Sequence, residues 1–213
     1  MTHFSTNNAG PVLARVGLIA DTHVGEVLSA LPGGVARAFD ECELILHAGD
    51  ITDLSVLAEL ERVAPVVAVQ GDHDREAGID LPRDRVVEVA GWRIGLTHGD
   101  RIGIVQRLAI AQTLVSRELH LAGFHRDMVR RFRDVDCVVH GHLHLPLTAV
   151  VGDVLVVSPG AVHVPERDEK YHGTLRGSVY LRVRGRFGHD VGQPSVGILE
   201  IREGGLRMRR VPV

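Results

Sequence analysis

The chain has 213 residues, 45% hydrophobic, 24% charged and only 4% aromatic, so it can form one globular domain with a core of Val, Leu, Ile and Ala. A formal net charge of -3 gives no support to a nucleic-acid or membrane partner held by overall charge. The only two cysteines, Cys42 and Cys137, are far apart, which suggests neither a zinc-thiolate site nor a disulfide scaffold and fits a reducing compartment.

Residues 1–13 read as a flexible lead-in without the basic and apolar regions of a secretory signal. No apolar run approaches the roughly 20 residues of a membrane span, so the expected location is cytoplasmic. Residues 14–20 are predicted to be a buried strand, followed by a helix over 26–39 that Pro32-Gly33-Gly34 interrupts. A strand over 43–47, a helix over 53–63 capped by Asp53 and a strand over 66–69 follow. This β-α-β-α-β order implies a parallel sheet with helices on its faces. Runs 86–89 and 93–97 around Ala90-Gly91-Trp92 predict a hairpin. Residues 103–133 predict two helices broken near Gly123, and 136–140 another buried strand. Gly152-Asp153 marks a second hairpin between 148–151 and 154–157. Strands are expected near 178–184, 195–201 and 205–211, with a long loop over 163–176.

The chain carries 13 histidines, several beside aspartates at strand ends. Strand 14–20 runs into Asp21-Thr22-His23, and strand 43–47 into Gly49-Asp50. Strand 66–69 runs into Gly71-Asp72-His73-Asp74, strand 93–97 into His98-Gly99-Asp100, and strand 136–140 into Gly141-His142-Leu143-His144. Carboxyl ends of strands form the ligand crevice of α/β sheets, so five remote segments are expected to deliver Asp and His to one place. Residues two apart in extended chain point the same way, which lets Asp21 and His23, or His142 and His144, face one ion. Oxygen and imidazole donors without thiolate suit Mn, Fe, Zn, Co or Ni. Asp21, His23, Asp50, Asp72, His98, His142 and His144 are too many donors for one tetrahedral ion. They suit two ions about 3.5–4 Å apart that share a carboxylate.

The ordered motifs DTH, GD, GDHD, THGD and GHLH resemble the calcineurin-like metallophosphoesterases, in particular their small YfcE-type phosphodiesterase branch. The resemblance spans residues 14–165 and resumes near 194–199. It implies a four-layer α-β-β-α sandwich of two facing mixed sheets, in a single domain over 1–213. It also implies a dinuclear, metal-dependent phosphoesterase, with Mn as the expected ion pair. Asp21, His23 and His144 would hold the first ion, Asp50 would bridge, and Asp72, His98 and His142 would hold the second. His73 would be the general acid for the leaving oxygen and Asp74 its orienting partner. Asp72 stands where the family usually has Asn, and its full negative charge implies tighter binding of the second ion.

Other residues have blander readings. His47 and His140 are expected to pack or to support ligands, and His120, His125, His163, His172 and His189 to lie at the surface. Arg126, Arg130, Arg131 and Arg133 read as a solvated helix face, with substrate phosphate or nucleic acid as the sharper alternative. Residues 163–193 read as an inserted loop and hairpin, a lid or a dimer contact. The metal site does not distinguish a phosphodiesterase from a phosphomonoesterase or nucleotidase on the same scaffold. The resemblance also admits a protein-binding scaffold, because the family includes the retromer subunit Vps29. All seven ligand positions hold competent donors here, which favours an enzyme.

Overall fold

The computed structural model describes residues 10–101, 104–116, 118, 120–164, 172–186 and 193–213. In chain order, β1 (Val12–Ile19), α1 (Gly34–Phe39), β2 (Leu44–His47), α2 (Ser55–Leu60), β3 (Val66–Ala68) and α3 (Asp72–Glu76) form the first half. Then come β4 (Asp84–Val89), β5 (Trp92–Thr97), α4 (Ile104–Ser116), α5 (Leu121–Arg130) and β6 (Cys137–Val139). The chain finishes with β7 (Pro146–Val151), β8 (Val154–Pro159), α6 (Leu175–Gly185), β9 (Ser195–Arg202) and β10 (Gly205–Pro212).

These strands make two five-stranded sheets, ordered β10-β9-β1-β2-β3 and β4-β5-β6-β8-β7. Both are mixed: β1, β2 and β3 run parallel while β9 lies antiparallel to β1, and β5, β6 and β8 run parallel between antiparallel edges. Alternation along each strand decides the layers. Leu18, Leu46 and Leu199 point from the first sheet into a core shared with Ile94, Leu96, Val139 and Val157 of the second. Their neighbours Ile19, Ile45 and Ile198 point outward and pack under Val35 and Phe39 of α1 and Val56 and Leu60 of α2. On the far side, Phe124 and Met128 of α5 cover Val138 and Val156. The outcome is the expected four-layer α-β-β-α sandwich.

The tail departs from expectation. Residues 178–184 are not a strand but lie inside α6. Val179 and Val183 alternate with polar neighbours, which reads as strand, but their spacing of four equally places both on one helix face. Thr174 decides between the two, because its Oγ1 accepts the Gly177 N–H at 3.0 Å and caps the first turn. The described part of 163–193 therefore contains a helix in place of a hairpin; residues 165–171 and 187–192 of that segment, like residues 1–9 of the lead-in, lie outside the described residues. Residues 12 and 13 of the lead-in belong to β1. The helix expected over 26–39 is confined to its end, after Pro32-Gly33, because the His23 carbonyl gathers the N–H groups of Glu26, Val27 and Leu28 into a turn. The long helical stretch breaks between Ser116 and Leu121, and Gly123 sits inside α5.

All the parallel strands of a sheet end at one edge, and the two sheets bring those edges together. The Asp21 N–H donates to Gly49 O at 3.0 Å, joining the β1 and β2 ends. The Gly141 N–H donates to His98 O at 3.0 Å, joining the β6 and β5 ends. His98 Nδ1 meets Ala48 O at 2.8 Å, which ties one sheet to the other.

Candidate metal centre

Two groups of donors form at this junction. Asp21, His23, Asp50 and His144 each place a ligand atom within 4.8 Å of the others, and Asp72, His98 and His142 do the same. Asp50 Oδ2 lies between the groups, 3.5 Å from His23 Nε2 and 3.3 Å from His98 Nε2. In the second group, Asp72 Oδ1 is 3.1 Å from His98 Nε2 and 3.4 Å from His142 Nδ1. His144 Nε2 is 3.4 Å from Asp21 Oδ1. All seven residues singled out in the sequence therefore come together.

They meet by a different backbone route from the one expected. Asp21, His23, Asp50, His142 and His144 all have φ between +46° and +68°. That is left-handed backbone, which costs of order 1–3 kcal/mol per non-glycine residue and concentrates at functional sites. The paired residues thus converge through tight turns beyond the strand ends, and the extended i, i+2 rationale does not apply. Neighbouring glycines admit this crowding. A Cβ on Gly71 would stand 2.0 Å from Asp50 Oδ1, and one on Gly141 would stand 2.9 Å from Asp21 Oδ2.

The surroundings aim the donors. The His98 Nδ1–H donates to Ala48 O, which leaves Nε2 facing both aspartates. His23 Nδ1 lies 3.1 Å from Glu26 Oε2, which turns its Nε2 toward Asp50. Asp21 is fully buried, and its Oδ2 has no hydrogen-bond partner. A buried carboxylate oxygen with no proton donor is what a bound cation would satisfy, so the residues fit divalent ions. The charge balance without an ion agrees. Burial pushes the Asp21 carboxyl above its usual range, against the pull of His98. For Asp50 and Asp72 burial also acts upward, but contact with His98, and for Asp72 with His142, outweighs it and holds both well below. Burial opposes charge on His98, yet Asp50 and Asp72 raise it well above the ordinary imidazole value. The cluster favours positive charge at its centre.

The GDHD stretch divides its work differently from expectation. His73 is the second residue of α3, beside the donors, and its Nδ1 lies 2.8 Å from Glu26 Oε2. Asp74 does not orient it. The Asp74 carboxylate is buried and accepts the N–H groups of Asp50, Ile51, Thr52 and Gly71 at 2.7–2.8 Å. It clamps the loop that carries Asp50. The residue facing His73 is Glu26, which sequence reasoning missed because it sits in a turn with no recurrent pattern. His163 was also missed. Expected at the surface, it is 2% exposed, with Nδ1 3.1 Å from Asp21 O and its ring 5.2 Å from that of His23. Its place just past β8, another strand end, is the signal that could have found it. His125 is buried too, at 5% exposure, against Phe124 and His140, while His120 and His172 are exposed as expected. His189 lies outside the described residues. Of the basic run, Arg126, Arg130 and Arg133 are solvated, whereas Arg131 turns inward to Thr97 Oγ1 at 2.9 Å and to Asp100 O. Asp100 in turn receives Arg75 and Arg83 at 2.5 and 3.1 Å.

His47 and His140 support the site as neutral groups. His47 Nδ1 accepts the Gly49 N–H at 3.2 Å, so its other nitrogen carries the proton toward Thr22 Oγ1 at 3.3 Å. His140 Nδ1 lies 3.0 Å from Gly141 O and donates to it. Burial pushes both down to about 3. Because the unfolded chain takes up these protons near pH 6.5 and the folded chain does not, their stabilising contribution is full above pH 6.5. It is lost as pH falls toward 3, while the raised carboxyl of Asp21 opposes the loss by one proton at most. We expect urea unfolding to show stability falling by about 1.4–2.7 kcal/mol per pH unit between pH 6 and 4.5. A flat profile there would mean that both rings take up protons in the folded state.

An α/β sandwich with seven oxygen and imidazole donors gathered at its strand ends defines a metal-binding scaffold. Residues 15–177 match the calcineurin-like phosphoesterase superfamily domain, and the chain belongs to this family. A probable metallophosphoesterase of Methanothermobacter thermautotrophicus is 38% identical over 150 residues, covering 70% of this chain and 78% of that protein. A phosphodiesterase of Methanocaldococcus jannaschii is 26% identical over 160 residues, covering 68% and 82%. In fold, the chain resembles vacuolar protein sorting 29 of Cryptosporidium parvum, with a TM-score of 0.58 at 19% identity over 95% of this chain and all of the other. Among the described residues no helix is long and apolar enough to cross a membrane.

Proposed function

We propose that the protein is a dinuclear metal-dependent phosphoesterase acting on phosphodiesters. The observation that carries this reading is the place of Asp50 Oδ2, within 3.5 Å of an imidazole of each donor group. Asp21, His23 and His144 would hold one ion, and Asp72, His98 and His142 the other, with Asp50 shared; manganese is the first ion to test. When bound, such ions supply Lewis acidity and lower the pKa of water. The match to a named phosphodiesterase supports the diester preference. The complete donor set favours a hydrolase over a protein-binding scaffold.

The remaining chemistry belongs to His73. Its Nδ1–H donates to Glu26, which leaves Nε2 to carry a proton to the leaving oxygen. Glu26 holds the ring in that orientation. His73→Ala is expected to slow hydrolysis of an alkyl diester with a poor leaving group by roughly 10²–10⁴-fold, with metal content unchanged. The loss should shrink for 4-nitrophenyl esters, which need no protonation. Glu26→Gln should cost roughly 10–100-fold on the same alkyl ester. Equal losses on good and poor leaving groups in His73→Ala would remove the general-acid role.

A further inference from the structure

Beside the donor groups opens a cleft of about 390 Å³. One end is formed by Asp50, Asp72, His73, His142 and His144. The rest is walled by Ile110 and Leu114 of α4, Leu121 and Phe124 of α5, and Val179 and Val183 of α6. Two of these walls come from the helices between β5 and β6, and the third from the segment between β8 and β9, so none is part of the sheets that carry the donors.

α6 is fixed to the site and does not hang over it. Tyr180 Oη donates to Leu143 O at 3.1 Å, and the buried Arg184 guanidinium donates to His144 O. Both acceptors lie in the loop that carries His142 and His144. The apolar wall is therefore built at a set distance from the reacting end.

The cation nearest the apolar half is already committed. Arg101 pairs with Asp127 at 2.8 Å, and its guanidinium lies 5.3 Å from the Phe124 ring centroid. It is not placed to select a second phosphate. The other described polar groups on the wall, Gln112, Thr113, His120 and Thr174 among them, include no carboxylate, lysine or arginine. A pocket of this size, charged at one end and apolar along the other, matches an amphiphile.

Resting on the phosphoesterase reading, we propose that the substrate is a phosphoester of an apolar alcohol, whose alkyl or aryl group lies between α4, α5 and α6 while its phosphate meets the donor cluster. In hydrolysis the oxygen of water bonds to phosphorus, the P–O bond to the leaving alcohol breaks, and a proton passes to that leaving oxygen. The second ester substituent stays attached and occupies the apolar wall.

Methyl and octyl 4-nitrophenyl phosphate, which share a leaving group, test this with the manganese-loaded protein. The octyl ester should show kcat/KM higher by about tenfold or more, the gain from burying roughly two methylenes. In parallel, octylphosphonate should bind more tightly than methylphosphonate by at least the same factor, measured by calorimetry with and without manganese. Leu114→Glu and, separately, Leu121→Asn should bring both octyl-to-methyl ratios toward one. Hydrolysis of both esters with equal kcat/KM and equal phosphonate affinities would overturn the apolar cleft and leave the phosphoesterase reading intact. Tight octylphosphonate binding without hydrolysis of either ester, under any divalent ion, would support the cleft and overturn the phosphoesterase reading. A thymidine 4-nitrophenyl ester preferred over the octyl ester would overturn the choice of an apolar alcohol.

Discussion

On the dinuclear phosphodiesterase reading proposed above, Asp50→Asn is expected to lower the bound metal from two ions per chain to one or fewer and to reduce diester hydrolysis by about 10³-fold or more, equivalent to about 4 kcal/mol. The substitution separates two jobs of one side chain. Asp50 Oδ1 accepts the His73 N–H at 3.0 Å, and an amide oxygen keeps that bond. Oδ2 stands between His23 and His98, where the amide presents hydrogen atoms and no negative charge. The start of α3 is thus retained while the shared donor is lost. Elemental analysis of the purified variant, with circular dichroism to verify the fold, makes the measurement. Two tightly held ions and near-normal turnover in Asp50→Asn would show that the donor groups act separately, and the shared-carboxylate account would fail.

The sequence made the donor set legible because the chemistry repeats. Asp or His follows five buried apolar runs, and strands of parallel sheets end together whatever their exact boundaries. Both sheets and the four layers followed from the same motifs. Other features depend on tertiary contacts that local pattern does not encode. Val179 and Val183 fit either a strand or a helix face, and only the Thr174 cap settles the conformation. The alternating pairs Asp21/His23 and His142/His144 look extended on paper, yet all four residues adopt left-handed backbone. Glu26 is 47 residues from His73 and became its partner through the turn that the His23 carbonyl organises. His163 depends on an approach across 142 residues to Asp21. Single unpatterned residues of this kind carry no signature until the loops have closed.

The same limit explains Asp74, where the structure leads to a prediction opposite to the one its neighbour His73 invites. Were Asp74 an orienter of the imidazole, Asp74→Ala would leave a folded protein with slow turnover. The observed bonds assign it to the backbone. Four N–H groups converge on its two oxygens, three from consecutive residues 50–52 and one from Gly71. Hydrogen bonds to a charged acceptor contribute about 1.5–3 kcal/mol each, and a buried N–H stripped of its acceptor keeps its desolvation penalty. Asp50 and Thr52 also have φ of +56° and +62°, a conformation that this anion holds in place. Asp74→Ala is therefore expected to cost on the order of 5 kcal/mol, placing it among the exceptional single substitutions. At about 2–4 °C per kcal/mol for a chain of this size, Tm should fall by roughly 10–20 °C. Asp74→Asn retains one acceptor oxygen and should lose about half as much. Thermal unfolding of the metal-free proteins reads this apart from any effect on ion binding. A wild-type Tm in Asp74→Ala, with slowed hydrolysis only of poor leaving groups, would return Asp74 to the role of orienting His73.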